Sequence, residues 1–143
     1  MVKVEQVRTV INCPAEKVWK VISTFQYDFS TNVMYVKWDG DYRQANATGL
    51  YKFRVSEGKD KEGSVVRREF VDGEQISWGA MKGPGGCIAD VFREFVIKRN
   101  DDNSCTFIHQ VSASGLISYI APASIYESVG GFNNDLKKYV ESM

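Results

Sequence analysis

His109 is the only histidine of the chain and lies in the strand-like run CTFIHQVSA. Imidazole titrates near neutral pH, so a histidine held in an enclosed site can shuttle a proton. Side chains alternate across a strand, which puts Cys105, Phe107, His109, Val111 and Ala113 on one face. Ile108, Gln110, Ser112 and Ser114 share the other. The first face is the more apolar and is expected to point inward. A slip of one residue would present Ile108 and Gln110 instead. The run IADVFREFVIK adds charge to the same region. Asp90 and Glu94 share a face with Ile88, Phe92 and Val96; Arg93 shares the opposite one with Ala89, Val91, Phe95 and Ile97. Whichever face is inward takes a charge with it, and a buried charge needs a partner or a polar ligand. Arg93 would meet a ligand carboxylate or enolate, and Asp90 with Glu94 keeps acid–base chemistry open. His109, Asp90 and Arg93 are therefore the catalytic candidates. Their plainer roles are a hydrogen-bonded histidine and solvated charges at a sheet edge.

Other reactive patterns are weaker. No Ser–His–Asp or Cys–His arrangement is legible. The segment MKGPGG lacks the GxxxxGK[ST] spacing of a phosphate loop and no helix follows it, so it reads as a mobile loop between strands, a lid at a pocket mouth. Cys13, Cys87 and Cys105 show no CxxC spacing, and a zinc site would need all three to converge with His109. No metal and no cofactor is expected. With no secretory signal at the N-terminus, the thiols read as reduced and the protein as cytoplasmic. Cys13 near a helix N-terminus would have a lowered pKa, although capping is its simpler role.

The elements that position these residues follow from periodicity. Residues 2 to 11 alternate as a strand. NCPAEKVWKVISTF then reads as a helix, with Asn12 or Cys13 at the N-cap, Pro14 at the first helical position and Glu16 in the first turn. Its apolar stripe is Val18, Trp19, Val21, Ile22 and Phe25; a second short helical or irregular piece covers Gln26 to Thr31. About six antiparallel strands follow, with turns at Asp39-Gly40, Gly58, Asp72-Gly73 and Asn100 to Ser104. An amphipathic helix of about 20 residues closes the chain from near Pro122, with Ile125, Val129, Phe132, Leu136 and Val140 at helical spacing. Asn133, Asp135, Lys137 and Lys138 fall between them. The order predicts one α+β domain over residues 1–143, an antiparallel sheet with helices on one face. A long helix meets a twisted sheet at one end and spans a gap elsewhere, and such gaps become ligand pockets.

VINCPAEKVWKVIS resembles the opening of the START-like (SRPBCC) superfamily, the helix-grip proteins, and FNNDLKKYVES resembles their closing helix. The similarity runs over the whole chain and is nearest to the polyketide cyclase/dehydrase and lipid-transport type. It implies a curved sheet of about seven strands wrapped on the C-terminal helix, with a hydrophobic cavity between them. It also implies a role for Gly130 and Gly131, two glycines inside a helix where each costs about 1 kcal/mol relative to alanine: the helix bends there, or a ligand approaches its backbone. The plainer explanation is close helix–sheet contact.

Aromatic residues crowd this framework, and flat rings with one polar handle suit an aromatic ligand. Expected ligand-binding residues are Trp38, Tyr51, Phe53, Trp78, Phe95, Phe107, Tyr119, Val129, Gly130 and Phe132. The 18 basic and 18 acidic residues cancel and no stretch is strongly basic, which argues against nucleic acid as a partner. No apolar run reaches the ~20 residues of a membrane span. Two functions stand. One is a module that binds or carries a small hydrophobic, aromatic or polyketide-like molecule. The other is a cyclase, dehydratase or isomerase acting on such a molecule by acid–base chemistry.

Overall fold

Alternating segments become strands in a computed structural model, which describes residues 2–56, 58–82, 84–116 and 123–143. The strands are β1 (Val2–Ile11), β2 (Val33–Trp38), β3 (Thr48–Ser56), β4 (Lys59–Val71), β5 (Gln75–Lys82), β6 (Ala89–Arg99) and β7 (Cys105–Ser114). They form one antiparallel sheet in the order β1-β7-β6-β5-β4-β3-β2. Strands β2 to β7 are successive neighbours because each connection is short. Gly73, at φ +78°, and Asn103, at φ +63°, supply the left-handed conformations that two of the hairpin turns need. In the first of these turns the Glu74 N–H donates to the Val71 carbonyl at 3.0 Å. A bulge in β4 between Arg67 and Phe70 takes the Glu69 N–H out of the ladder, and Ser77 Oγ accepts it at 2.9 Å.

Helix α1 (Ala15–Ile22) begins one residue later than the sequence predicts. Pro14, with ψ 148°, is the N-cap itself, and its carbonyl accepts from the Lys17 and Val18 N–H groups. Val18, Val21 and Ile22 are buried against the sheet. The chain leaves the helix through Phe25, whose φ of +55° is a left-handed conformation rare for a bulky residue. The stretch from Gln26 to Thr31 is the irregular of the two alternatives, and Gln26 bridges to Tyr35.

Helix α2 (Ala123–Glu141) lies mainly across β1 and β7. Its inward row is Val129, Phe132, Asn133, Leu136 and Val140, all fully buried. At its C-terminal end Lys137 Nζ donates to the Val10 carbonyl at 2.8 Å, and Glu141 Oε2 accepts from the Asn12 N–H at 3.0 Å. The expected start of this helix near Pro122, together with Tyr119, lies outside the described residues. So does Gly83 of the expected lid. The rest of that loop contains a short 3₁₀ turn, Pro84–Gly86.

The two helical glycines have different surroundings. A Cβ at Gly131 would come within 2.7 Å of Asn32 Nδ2, so here the helix backbone approaches the segment before β2 closely. A Cβ at Gly130 would meet nothing within 4 Å. Gly130→Ala is therefore expected to raise stability by about 1 kcal/mol, the helix-propensity difference. Gly131→Ala should gain clearly less, because Asn32 must move aside. Urea unfolding of both variants checks this; equal gains would show that Asn32 places no demand on Gly131.

Candidate functional site

The register carries Arg93, Phe95 and Ile97 to the inner face of β6, and Phe107, His109 and Val111 to the inner face of β7. All six are buried. Asp90 does not join them. It lies on the outer face, paired with Arg68, whose guanidinium also covers the Phe92 ring. The sequence grouped Asp90 with Arg93 and His109 as catalytic candidates; the two-residue period of the strand separates it from both by the thickness of the sheet.

Arg93 and His109 meet. Arg93 Nη1 and His109 Nε2 are 2.5 Å apart, and His109 Nδ1 lies 3.0 Å from Asn133 Oδ1. Asn133 Nδ2 donates to the Val7 carbonyl at 3.1 Å and to Thr9 Oγ1 at 3.0 Å. These contacts fix the protons. A backbone carbonyl can only accept, so the Asn133 amide nitrogen faces β1 and its oxygen faces His109. Nδ1 therefore carries hydrogen, and Nε2 uses its lone pair to accept from Arg93. Burial, and then the charge of Arg93, hold the His109 pKa well below its ordinary value; hydrogen bonds to Asn133 and the Val129 backbone oppose this. His109 is a neutral acceptor whose two ring nitrogens are both engaged.

Sequence reading placed Asn133 on the polar side of α2. It is fully buried and joins the helix to His109 and β1. The signal was present: Asn133 follows Val129 by four residues and precedes Leu136 by three, which is the apolar stripe.

Around this relay the interior is aromatic. Phe132 stacks on Phe95 with centroids 5.2 Å apart and 10° between planes, and it also contacts Phe107, His109 and Tyr27. Trp78 meets Phe95 edge-on at 5.2 Å and Tyr51 at 5.7 Å; Tyr51 stacks on Phe53. Phe25, which the sequence assigned only to the helix stripe, packs edge-on against Trp38, Tyr42 and Trp78. Of the expected ligand residues, Trp38, Tyr51, Phe53, Trp78, Phe95, Phe107 and Phe132 thus lie in one buried or half-buried interior, and Val129 is buried on α2 outside that cluster. Among the described residues the buried Trp38 Nε1–H, Trp78 Nε1–H and Tyr51 Oη–H find no acceptor; the Tyr51 oxygen itself accepts from Arg93. Arg93 lies over the Tyr51 ring, 5.7 Å from its centroid. Burial raises the Tyr51 pKa, and the charge of Arg93 opposes the rise.

Two surface grooves flank the start of α1. One, of about 350 Å³, runs between Ala15, Gly73 to Gln75 and Val96 to Arg99. The other, of about 390 Å³, is lined by Asn12 to Pro14, Lys17 and Asp102 to Ser104. Neither touches an expected ligand residue. Cys13 and Cys105 sit beside each other near the second groove. Burial raises both thiols, Cys105 to about 11, so the lowered pKa considered for Cys13 is not found.

No protein-family model matches the sequence, and no curated protein matches it. Solved structures do match its fold. The Zhui aromatase/cyclase of Streptomyces sp. R1128 superposes with a TM-score of 0.76 at 12% identity, covering 99% of this chain and 94% of its own. Truncated norcoclaurine synthase from Thalictrum flavum gives 0.70 at 12% identity, with coverage of 100% and 96%. Major latex-like protein 151 of Panax ginseng gives 0.71 at 7% identity, with coverage of 96% and 97%. The chain shares with these structures the helix-grip fold, a curled antiparallel sheet around a long C-terminal helix.

Two outcomes follow from the relay. Asn133→Ala leaves the His109 Nδ1–H only the Val129 carbonyl and removes the donor to Val7 and Thr9, and is expected to destabilise by roughly 2 kcal/mol. The folded-state pKa of His109 lies below the unfolded value near 6.5, so below that pH the unfolded chain binds a proton the folded chain does not. Its contribution is complete above about pH 6.5 and falls by up to about 1.4 kcal/mol per unit as pH drops below it. Urea midpoints at pH 7.5, 6.5 and 5.5 measure this slope. His109→Gln should flatten it, and an unchanged slope would place its origin elsewhere.

Proposed function

We infer that this chain binds a small, largely apolar aromatic molecule between the curled sheet and α2. The observation that carries the reading is an aromatic interior in which three buried N–H and O–H donors find no acceptor among the described residues. A core that serves packing alone pairs such atoms. Trp38, Tyr51, Phe53 and Trp78 would form one wall, and Phe95, Phe107, Val129 and Phe132 the floor beneath α2. Gly130 would leave the helix backbone bare toward a ligand. The fold agrees with this reading: the similar structures include an aromatase/cyclase and norcoclaurine synthase.

A second reading, an enzyme acting on such a molecule, is favoured by Arg93. Its buried guanidinium beside Tyr51 would steady an enolate. In that reading His109 positions Arg93 and is not the proton carrier, because both its nitrogens are engaged. Asp90 has no part in it.

Native mass spectrometry of the purified protein, before and after incubation with a panel of planar bicyclic and tricyclic aromatics, tests the first reading. The expected result is a one-to-one adduct that denaturation releases. Absence of any adduct across the panel would overturn it. A panel member recovered cyclised or dehydrated would move the assignment to the enzyme.

A further inference from the structure

We propose that the part of the interior bounded by β2, β3 and β5 is a subsite for an oxygen acceptor of the ligand, a carbonyl or an ionised hydroxyl. This rests on the ligand-binding reading and names the chemistry its ligand must carry.

The three groups share one need, an acceptor for a buried N–H or O–H. Indole Nε1–H can only donate, and a phenol has one proton to donate. Trp78 is 1% exposed and Tyr51 9%, so water at the surface does not satisfy them. The atoms belong to one cluster: Trp78 contacts Tyr51, and Phe25 contacts both Trp78 and Trp38. A guanidinium also has no acceptor, so whatever contact Arg93 makes with Tyr51 leaves the phenol proton unused. The cluster therefore gathers donors and positive charge, and its one acceptor, the Tyr51 oxygen, is taken by Arg93.

The same interior shows how this chain treats polar groups that only support packing. Tyr27 is fully buried, and its hydroxyl donates to the Ile22 carbonyl at 2.7 Å. Asn133, equally buried, engages both ends of its amide. The unpaired donors lie together at the other end. Phe25, whose ring reaches both tryptophans, stands in a left-handed backbone conformation. Strain of that kind persists where the surroundings fix a side chain for a purpose. Gly49 assists: a Cβ there would meet the Trp38 ring at 3.1 Å, so this glycine lets the indole lie close to β3. An apolar ligand without oxygen would leave every one of these donors unpaired. One presenting a carbonyl or phenolate would engage them and meet the charge of Arg93.

Two fluorescent probes with the same N-phenylnaphthylamine framework test this. One is 8-anilino-1-naphthalenesulfonate, which adds acceptor oxygens; the other is N-phenyl-1-naphthylamine, which lacks them and is the more apolar. Affinities are measured on the full chain and on Tyr51→Phe and Trp78→Phe, with thermal unfolding to confirm that each variant is folded. The expected result is tighter binding of the sulfonate and a selectivity ratio that falls about ten-fold in Tyr51→Phe, as loss of a hydrogen bond to a charged group would give. If both probes bind and the ratio stays the same in both variants, the acceptor subsite is overturned and ligand binding stands. If neither probe binds the parent chain, the ligand-binding reading falls and the subsite with it.

Discussion

Arg93 carries a permanent charge into an interior built of aromatic rings, and the chain holds it there with a neutral histidine. A guanidinium out of water needs acceptors. His109 supplies one through Nε2, and can do so only while Nδ1 keeps its hydrogen. That hydrogen stays because Asn133 presents an oxygen to it, and Asn133 is turned that way by the Val7 carbonyl. The relay therefore spans β6, β7, α2 and β1. It fixes how α2 sits on the sheet, since a rotation of the helix that removed Asn133 would leave acceptors and donors unpaired at three places. Apolar contacts tolerate small shifts, whereas this chain of bonds accepts one register.

The sheet makes its own contribution through close approach. A Cβ at Gly79 would lie 2.4 Å from the Val91 carbonyl and 2.7 Å from Phe92 Cβ, so β5 and β6 come together there only without a side chain. Gly49 does the same for Trp38 on β3. Both glycines are in strands, where glycine weakens pairing and marks a close approach. The two indoles follow from this geometry. Trp78 stands opposite Arg93 in the β5–β6 register, and Trp38 stands opposite Gly49 in the β2–β3 register. The aromatic wall and the buried charge are thus placed by one set of strand pairings.

Much of this was legible in the sequence, for a definable reason. Period-two alternation in CTFIHQVSA and IADVFREFVIK separates the two faces of β6 and β7 and favours His109 inward, but it leaves open which face of β6 is buried, so the burial of Arg93 is a finding of the structure. It could not say which other elements face that pair, because the partner Asn133 lies 24 residues away and reaches His109 only through helix packing. Asn133 was set aside for its polarity although its spacing matched the buried stripe. Phe25 was assigned to the helix because the apolar spacing runs on past Ile22; the left-handed turn that redirects its ring has no glycine or asparagine to announce it. Asp90 remains a candidate in the sequence because alternation sets it opposite Arg93 without saying which of the two faces is inward.

The electrostatics separates two kinds of chemistry that the fold alone leaves equal. A general base needs a free lone pair and a pKa near the working pH. His109 has neither, since Arg93 takes its lone pair and burial depresses its basicity. A positive group that stabilises developing negative charge needs neither property; it needs fixed position and low dielectric. Arg93 has both, braced by His109 and set among rings. The buried pair thus supplies fixed positive charge rather than a free base, and the chemistry open to it is stabilisation of negative charge.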